Sequence, residues 1–483
     1  MSIIGKICTA ALRGARARLK IQTVILIAAV SIVPPGAVDL AVAQPPGQAA
    51  PKSLAPSVAT TVRPTQSQLA TWREAIVKVQ RPKAGACFKA AYPDTTWHEV
   101  PCKPSTHKLY PPRRAGPTPV EIVGGRQGSE FIAGVSGHSL SAEGSFGQAT
   151  RVLGECDVPC DENTDTCPTN LKCDSPGAVA NSYSLQLNTQ TFSGTSACNG
   201  APAAGAWGEC KGFQQFVYDP DPYGGGNIQY WMDPYGPPGT ECPSGWGSFI
   251  YSPTPTDPHP NVLCFYMVQD QMNGNPAPPV SPANLPSIAI VGAAAGVNGD
   301  SLDELTIFVS NEAFSSSGRN LFPDLSREWQ QTEFNIFGAG NDSRAIFGAG
   351  SSVAVQLEVE NGTIRAPSCT LGSSFTGESN NLVLYGTAKS EDTPTPILTF
   401  LERFPGPRKP SASCPAAQPS GAQCQDAMEA IAATQKQIVN EQNALRTTQC
   451  QGQGRFLCTQ ALKRLTQGLQ ADEAAERNSC PNH

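Results

Sequence analysis

The chain reads as mainly β, two packed antiparallel sheets followed by a C-terminal disulfide-stapled α-helical hairpin. Three observations predict this. Between residues 121 and 390, short runs of alternating apolar and polar residues are separated by Gly, Pro, Asn and Ser turns. Charged residues make up only 15% of the chain while Gly and Pro number 45 and 44, a balance that suits turn-rich sheets and linkers rather than helix bundles. No long helical pattern alternates with the strand-like runs, which argues against a parallel α/β sheet.

The strand-like runs are 183–187, 213–218, 228–232, 287–291, 305–309, 353–359 and 382–385. In the clearest of them, Val353, Val355, Leu357 and Val359 share one face while Gln356 and Glu358 occupy the other. A region of this length can bury a sizeable core as one domain.

Residues 1–43 have the layout of a signal peptide. Lys6, Arg13, Arg16, Arg18 and Lys20 precede an apolar run over 21–33, and Ala41-Val42-Ala43 fits a small-residue cleavage site. The run is too short to span a bilayer, and Pro34 and Pro35 close any helix there. The alternative is an uncleaved anchor. No later stretch is apolar enough to span, so the expected location is secreted, extracellular or periplasmic, with no membrane contact after cleavage. Cleavage removes five positive charges and one negative, Asp39, taking the net charge from −6 to −10. Such an acidic chain lacks the clustered Lys and Arg that nucleic acid requires.

The remaining organisation follows composition. Residues 44–66 read as a disordered linker and 67–105 as a small N-terminal Cys-linked module with a helical pattern over 69–77. A second linker covers 106–120, the sandwich 121–390, a third linker 391–423, and the helical hairpin 424–480. The hairpin rests on Met428, Ile431, Ile438 and Leu445 in one helix and Leu462, Leu465 and Leu469 in the other.

Of 17 cysteines, Cys8 leaves with the signal, and an even number in an exported chain reads as disulfides. The simplest pairing joins Cys87 to Cys102, Cys198 to Cys210, Cys242 to Cys264, Cys369 to Cys414, Cys424 to Cys480 and Cys450 to Cys458, although sequence alone allows many others. Cys156, Cys160, Cys167 and Cys173 tie an acidic insertion. Its spacing lacks the central Gly and terminal Glu of a calcium-binding EF-hand. No facing Cys-x-x-Cys pairs occur and His is scarce, so neither a metal nor a cofactor is expected. There is no Gly-x-Ser-x-Gly turn, no His-Glu-x-x-His motif and no phosphate or dinucleotide loop.

What remains is carboxylate and amide chemistry. The run Phe213-Gln214-Gln215-Phe216 precedes a strand in which Gln229, Trp231 and Asp233 share a face, and Glu333, Asn335 and Phe337 share one in a later strand. An aromatic face carrying amides and acids suits a polar polymer, bound or cut.

Thr332-Glu333-Phe334 and the turn and apolar run after it resemble the Ala-Glu-Trp/Phe strand of the glutamic peptidases (eqolisins). Trp231, Asp233 and Tyr235 likewise resemble that family's Trp, Glu and Tyr, although Pro234 interrupts the strand and Asp stands for Glu. The likeness touches about 150 residues, in the order Gln strand, aromatic strand, Glu strand. It implies a concanavalin-like β-sandwich and a secreted, acid-favouring endopeptidase acting on protein. Glu333 would be the general base, and Gln214 or Gln215 the donor to the developing oxyanion. The alternative is a non-catalytic module for polysaccharide or another extracellular polymer, with Phe213, Trp231, Trp246 and Trp329 as its platform. A third class is a structural surface protein. The oligomeric state is not assigned by sequence.

Overall fold

Leu185, Leu187, Phe216, Tyr218, Phe334 and Ile336 occupy alternate positions of three strands, and all are buried in one apolar layer with Ile290, Ile307, Val355 and Leu357. Period-two patterning has therefore produced two sheets that share a core. The computed structural model describes residues 64–415, except 106–107, 113–121, 126–127, 161–171, 203–207, 222–223, 252–259, 268–273, 297–300, 341, 364, 392–395 and 407–410. Scattered positions between 428 and 473 are also described.

The larger sheet has 14 strands and the smaller eight. The centre of the larger sheet runs Ile288–Ala293, Ser141–Thr150, Ser352–Glu360, Ile397–Arg403, Ser379–Glu391. The smaller runs Gly247–Tyr251, Asn261–Met267, Gly226–Gly236, Lys211–Tyr218, Ser184–Thr189, Gln331–Phe337, Glu130–Gly134, Ser368–Gly372. Two glycines of the larger sheet permit the close approach. A Cβ on Gly144 would collide with the Phe334 ring, and one on Gly292 with the Phe216 ring. Fully burying a ring of this size is worth roughly 1.5–3 kcal/mol, so the glycines sit where rings from the smaller sheet enter.

Three expected boundaries change. The strand Ile397–Arg403 lies inside 391–423, read from composition as a linker. It pairs with both Ser352–Glu360 and Ser379–Glu391, and turns Leu398 and Phe400 into the core. The hairpin Cys87–Ala91 and His98–Val100, read as a separate module, instead extends the larger sheet by pairing with Glu312–Ser317. The helix Gln66–Val77, opened by a Thr65–Gln68 capping box, packs Trp72 and Ile76 on the outer side of that sheet against Ala289 and Phe308. Finally, residues 108–112 of the expected second linker are packed on the smaller sheet, and Tyr110, Pro111 and Pro112 are buried. Proline-rich composition marked these stretches as linkers, but tertiary packing recruits them.

Five disulfides are described: Cys87–Cys102, Cys156–Cys173, Cys198–Cys210, Cys242–Cys264 and Cys369–Cys414. They fit an oxidising compartment. Among the described residues no helix is long and apolar enough to cross a membrane. No helical hairpin is among the described helices, although scattered positions such as 434–439 and 465–467 are helical. The stapled hairpin expected over 424–480, with Cys424, Cys450, Cys458 and Cys480, lies largely outside the described residues.

Candidate functional site

Four neighbouring strands of the smaller sheet place the polar side chains. Their register sets Glu333 opposite Asn188, Asn188 opposite Gln215, and Gln215 opposite Gln229. Directly opposed residues of antiparallel strands point to the same face. The result is one row of a carboxyl and three carboxamides, on the face away from the other sheet. All four side chains are fully buried, which means that something covers them.

Hydrogen bonds link part of the row. Gln215 Nε2 donates to Asn188 Oδ1 at 3.1 Å, and Trp231 Nε1 donates to Gln215 Oε1 at 3.1 Å. Asn188 Nδ2 donates to Gln186 Oε1 at 3.4 Å, and the same amide lies near enough to lower the Glu333 carboxyl. The other side of Glu333 is held by the segment after Ser368–Gly372: the Ser374 hydroxyl donates to Oε1, and the Phe375 N–H donates to Oε2 at 2.8 Å. Among the described residues no lysine or arginine pairs with Glu333. Burial therefore dominates and pushes its carboxyl up to about 7, with the Ser374, Phe375 and Asn188 hydrogen bonds pulling the other way.

A second pair of acids lies next to the first. The Asn335 amide donates to both oxygens of Glu130 at 3.0 Å and also to Glu402, which reaches in from the larger sheet. Burial pushes Glu130 well above the usual range, reinforced by the facing charges of Glu402 and Glu333. Burial also raises Glu402 to about 7, against hydrogen bonds from Asn335 and Asn380. Three buried acids thus gather at one end of the row. Among the described residues, no group of three His, Cys, Asp or Glu side chains is arranged to hold a metal ion.

The cover comes from residues 108–112. Gln229 grips their backbone, donating from Nε2 to the Lys108 carbonyl at 2.9 Å and accepting at Oε1 from the Tyr110 N–H at 3.2 Å. Leu109 packs with Phe375 on the cluster of Phe213, Trp231 and Leu263. Pro112 then bridges to Thr376, two residues beyond Ser374.

The other sequence candidates are divided by strand parity. Phe213, Gln215 and Trp231 share the polar face, whereas Gln214 points to the inter-sheet side and faces the buried Asp303. Trp329 is not on the platform at all. It is buried in the shared core, stacked on Phe216 at 5.9 Å. Trp246 packs on Tyr266 and Phe322, again part of the core. Phe213 and Trp231 are fully buried, so no open aromatic platform exists in this state. Asp233 is half-buried and accepts from Asn261 at 3.4 Å, and Tyr235 is buried in the core.

The sequence matches no protein-family model and no curated protein. Its chemistry is therefore read from these side chains. Asn188, Ser374, Glu130 and Glu402 were not singled out from sequence. For Asn188 a signal existed: Gln186 and Asn188 put two amides on one face of a strand whose other face is Leu185 and Leu187.

Proposed function

We propose that the row of Glu333, Asn188 and Gln215 is the hydrolytic site of an exported endopeptidase. The observation that carries this reading is that Glu333 and Gln215, from segments over a hundred residues apart, lie on one face with a single carboxamide between them. Their backbones are two strand spacings apart, about 9.5 Å. One peptide group is short enough to lie between them above Asn188 once the cover is displaced.

In this reading ionised Glu333 removes a proton from water as the water oxygen attacks the scissile carbonyl carbon. The negative charge moves to the carbonyl oxygen, where the Gln215 N–H not used by Asn188 donates to it. Collapse of the tetrahedral intermediate breaks the C–N bond, and the Glu333 carboxyl returns its proton to the leaving amine. Asn188 and Trp231 are positioning residues, since they fix the Gln215 amide rather than touch the reacting atoms. While it is buried, the Glu333 carboxyl, pushed up to about 7, holds its proton at acidic pH and cannot act as a base. Exposure to water restores hydration, returns the carboxyl toward its ordinary range, and allows hydrolysis at acidic pH.

The five disulfides and the signal-like residues 1–43 support export, extracellular or periplasmic. The two-sheet architecture supports the likeness to the concanavalin-like sandwich of glutamic peptidases. Against a polysaccharide-binding module stands the packing of Trp329 and Trp246 in the shared core, which takes two of the four expected platform rings off the polar face. The test is incubation of the purified chain with denatured protein across acidic to neutral pH, beside a Glu333→Gln variant. The reading requires cleavage by the first and none by the second.

A further inference from the structure

Lys108 ends in a pocket of acids. Its Nζ lies 3.1 Å from Asp219 and 3.4 Å from Asp221, and donates to the Ser182 hydroxyl at 3.3 Å. Asp219 is fully buried, and Tyr110 donates its hydroxyl to the same carboxyl at 3.3 Å. Asp157 and Glu155, near the edge of the larger sheet, lie within the field of Lys108 without bonding it, and Asp157 accepts from the Ala339 N–H at 3.0 Å. Glu155 is 96% buried, yet neither of its carboxyl oxygens has a hydrogen-bond partner among the described residues. Two acids bonded to one ammonium, with two more in its field, exceed what an ordinary surface ion pair needs. A buried, unpartnered carboxyl beside them is a costly feature for a purely structural cluster.

The backbone that delivers Lys108 is held as a bound peptide is held. Gln229 pairs with the carbonyl of residue 108 and the N–H of residue 110, groups that an extended chain presents on one side. The same backbone reaches Thr376 beside the Ser374–Phe375 clamp on Glu333, so 108–112 runs from the acid pocket to the rim of the proposed catalytic row.

We propose that Asp219, Asp221, Asp157 and Glu155 form a subsite for a lysine or arginine side chain of an extended polypeptide, and that Lys108 is the chain's own occupant of it. The substrate class is then a peptide with a basic residue docked in this pocket, its backbone gripped by Gln229. This rests on the reading of the Glu333 face as a peptide-binding site, but not on hydrolysis itself.

The test is binding of a fluorescent Lys-Leu-Tyr-Pro-Pro peptide, and of the same peptide with norleucine for lysine, to a full-length Lys108→Met chain that also carries Glu333→Gln. The lysine peptide is expected to bind at least about tenfold more tightly than the norleucine peptide, and more tightly to this chain than to one retaining Lys108. Asp219→Asn, or Asp221→Asn at a half-exposed position if the first does not fold, is expected to erase the discrimination. Equal binding of the two peptides, or no binding of either, overturns the subsite. Lysine-selective binding beside a wild-type chain that cleaves nothing sinks the hydrolytic reading and leaves the subsite standing. Cleavage of denatured protein with no basic residue at a fixed distance from the cut sinks the subsite alone.

Discussion

Gln215 donates an amide N–H to Asn188 at 3.1 Å, and this bond ties a carboxamide near position 215 to a carboxyl at position 333 through one intervening side chain. Asn188 accepts from Gln215 at its oxygen and donates from Nδ2 to Gln186 Oε1 at 3.4 Å, so it fixes which way the Gln215 amide faces.

Replacing Asn188 with alanine is therefore expected to do two separable things. It leaves the buried Gln215 amide nitrogen without its acceptor, while Ser374 and Phe375 still hold Glu333, at a cost of about 1–3 kcal/mol in denaturant unfolding. It also lets the Gln215 amide turn, which is expected to lower kcat roughly 10²-fold, in the range for losing one oxyanion donor. Unfolding and peptide-cleavage measurements on the same preparation separate the two effects.

The buried acids set a pH dependence of stability opposite to ordinary acid denaturation. Glu333 and Glu402 are raised from the usual 4.5 to about 7, and Glu130 is raised as well. A carboxyl with a raised folded-state value binds its proton more tightly folded than unfolded. Its contribution is complete below 4.5 and is lost as pH rises toward 7. Each such group costs on the order of 1 kcal/mol per pH unit across that window. The urea midpoint is expected to be higher at pH 4.5 than at pH 7.5, and a flat or rising midpoint would contradict the burial described here.

The Cys369–Cys414 bond closes a loop of 45 residues, which includes the strand Ile397–Arg403. Loop-closure entropy alone is worth about 4 kcal/mol for that length. Cys369→Ser with Cys414→Ser is expected to lower the unfolding free energy by up to that amount. Cys369 still pairs with Ala133 in the smaller sheet, so the strands around Glu333 are expected to keep their register and activity.

The architecture was largely legible from strict alternation. Val353, Val355, Leu357 and Val359 against Gln356 and Glu358 specify a two-faced strand whatever surrounds it. The pairing of Glu333 with Gln215 was only partly legible, because strand parity places Gln214 and Gln215 on opposite faces without saying which faces Glu333. Asn188 escaped notice because register between distant strands is a tertiary outcome. The covering residues 108–112 were hidden for another reason. Pro111 and Pro112 suggest a linker, and partners far along the chain, Gln229, Asp219 and Thr376, convert the segment into packed structure.

The central claim is that Glu333 is a catalytic carboxyl rather than a buried structural acid. The most direct measurement compares cleavage of a denatured protein by the wild-type chain and by Glu333→Gln, after circular dichroism shows that both are folded. Cleavage that is lost in the variant is the expected result. Equal cleavage by both chains, or none by the wild type at any pH from 3 to 7, would contradict it.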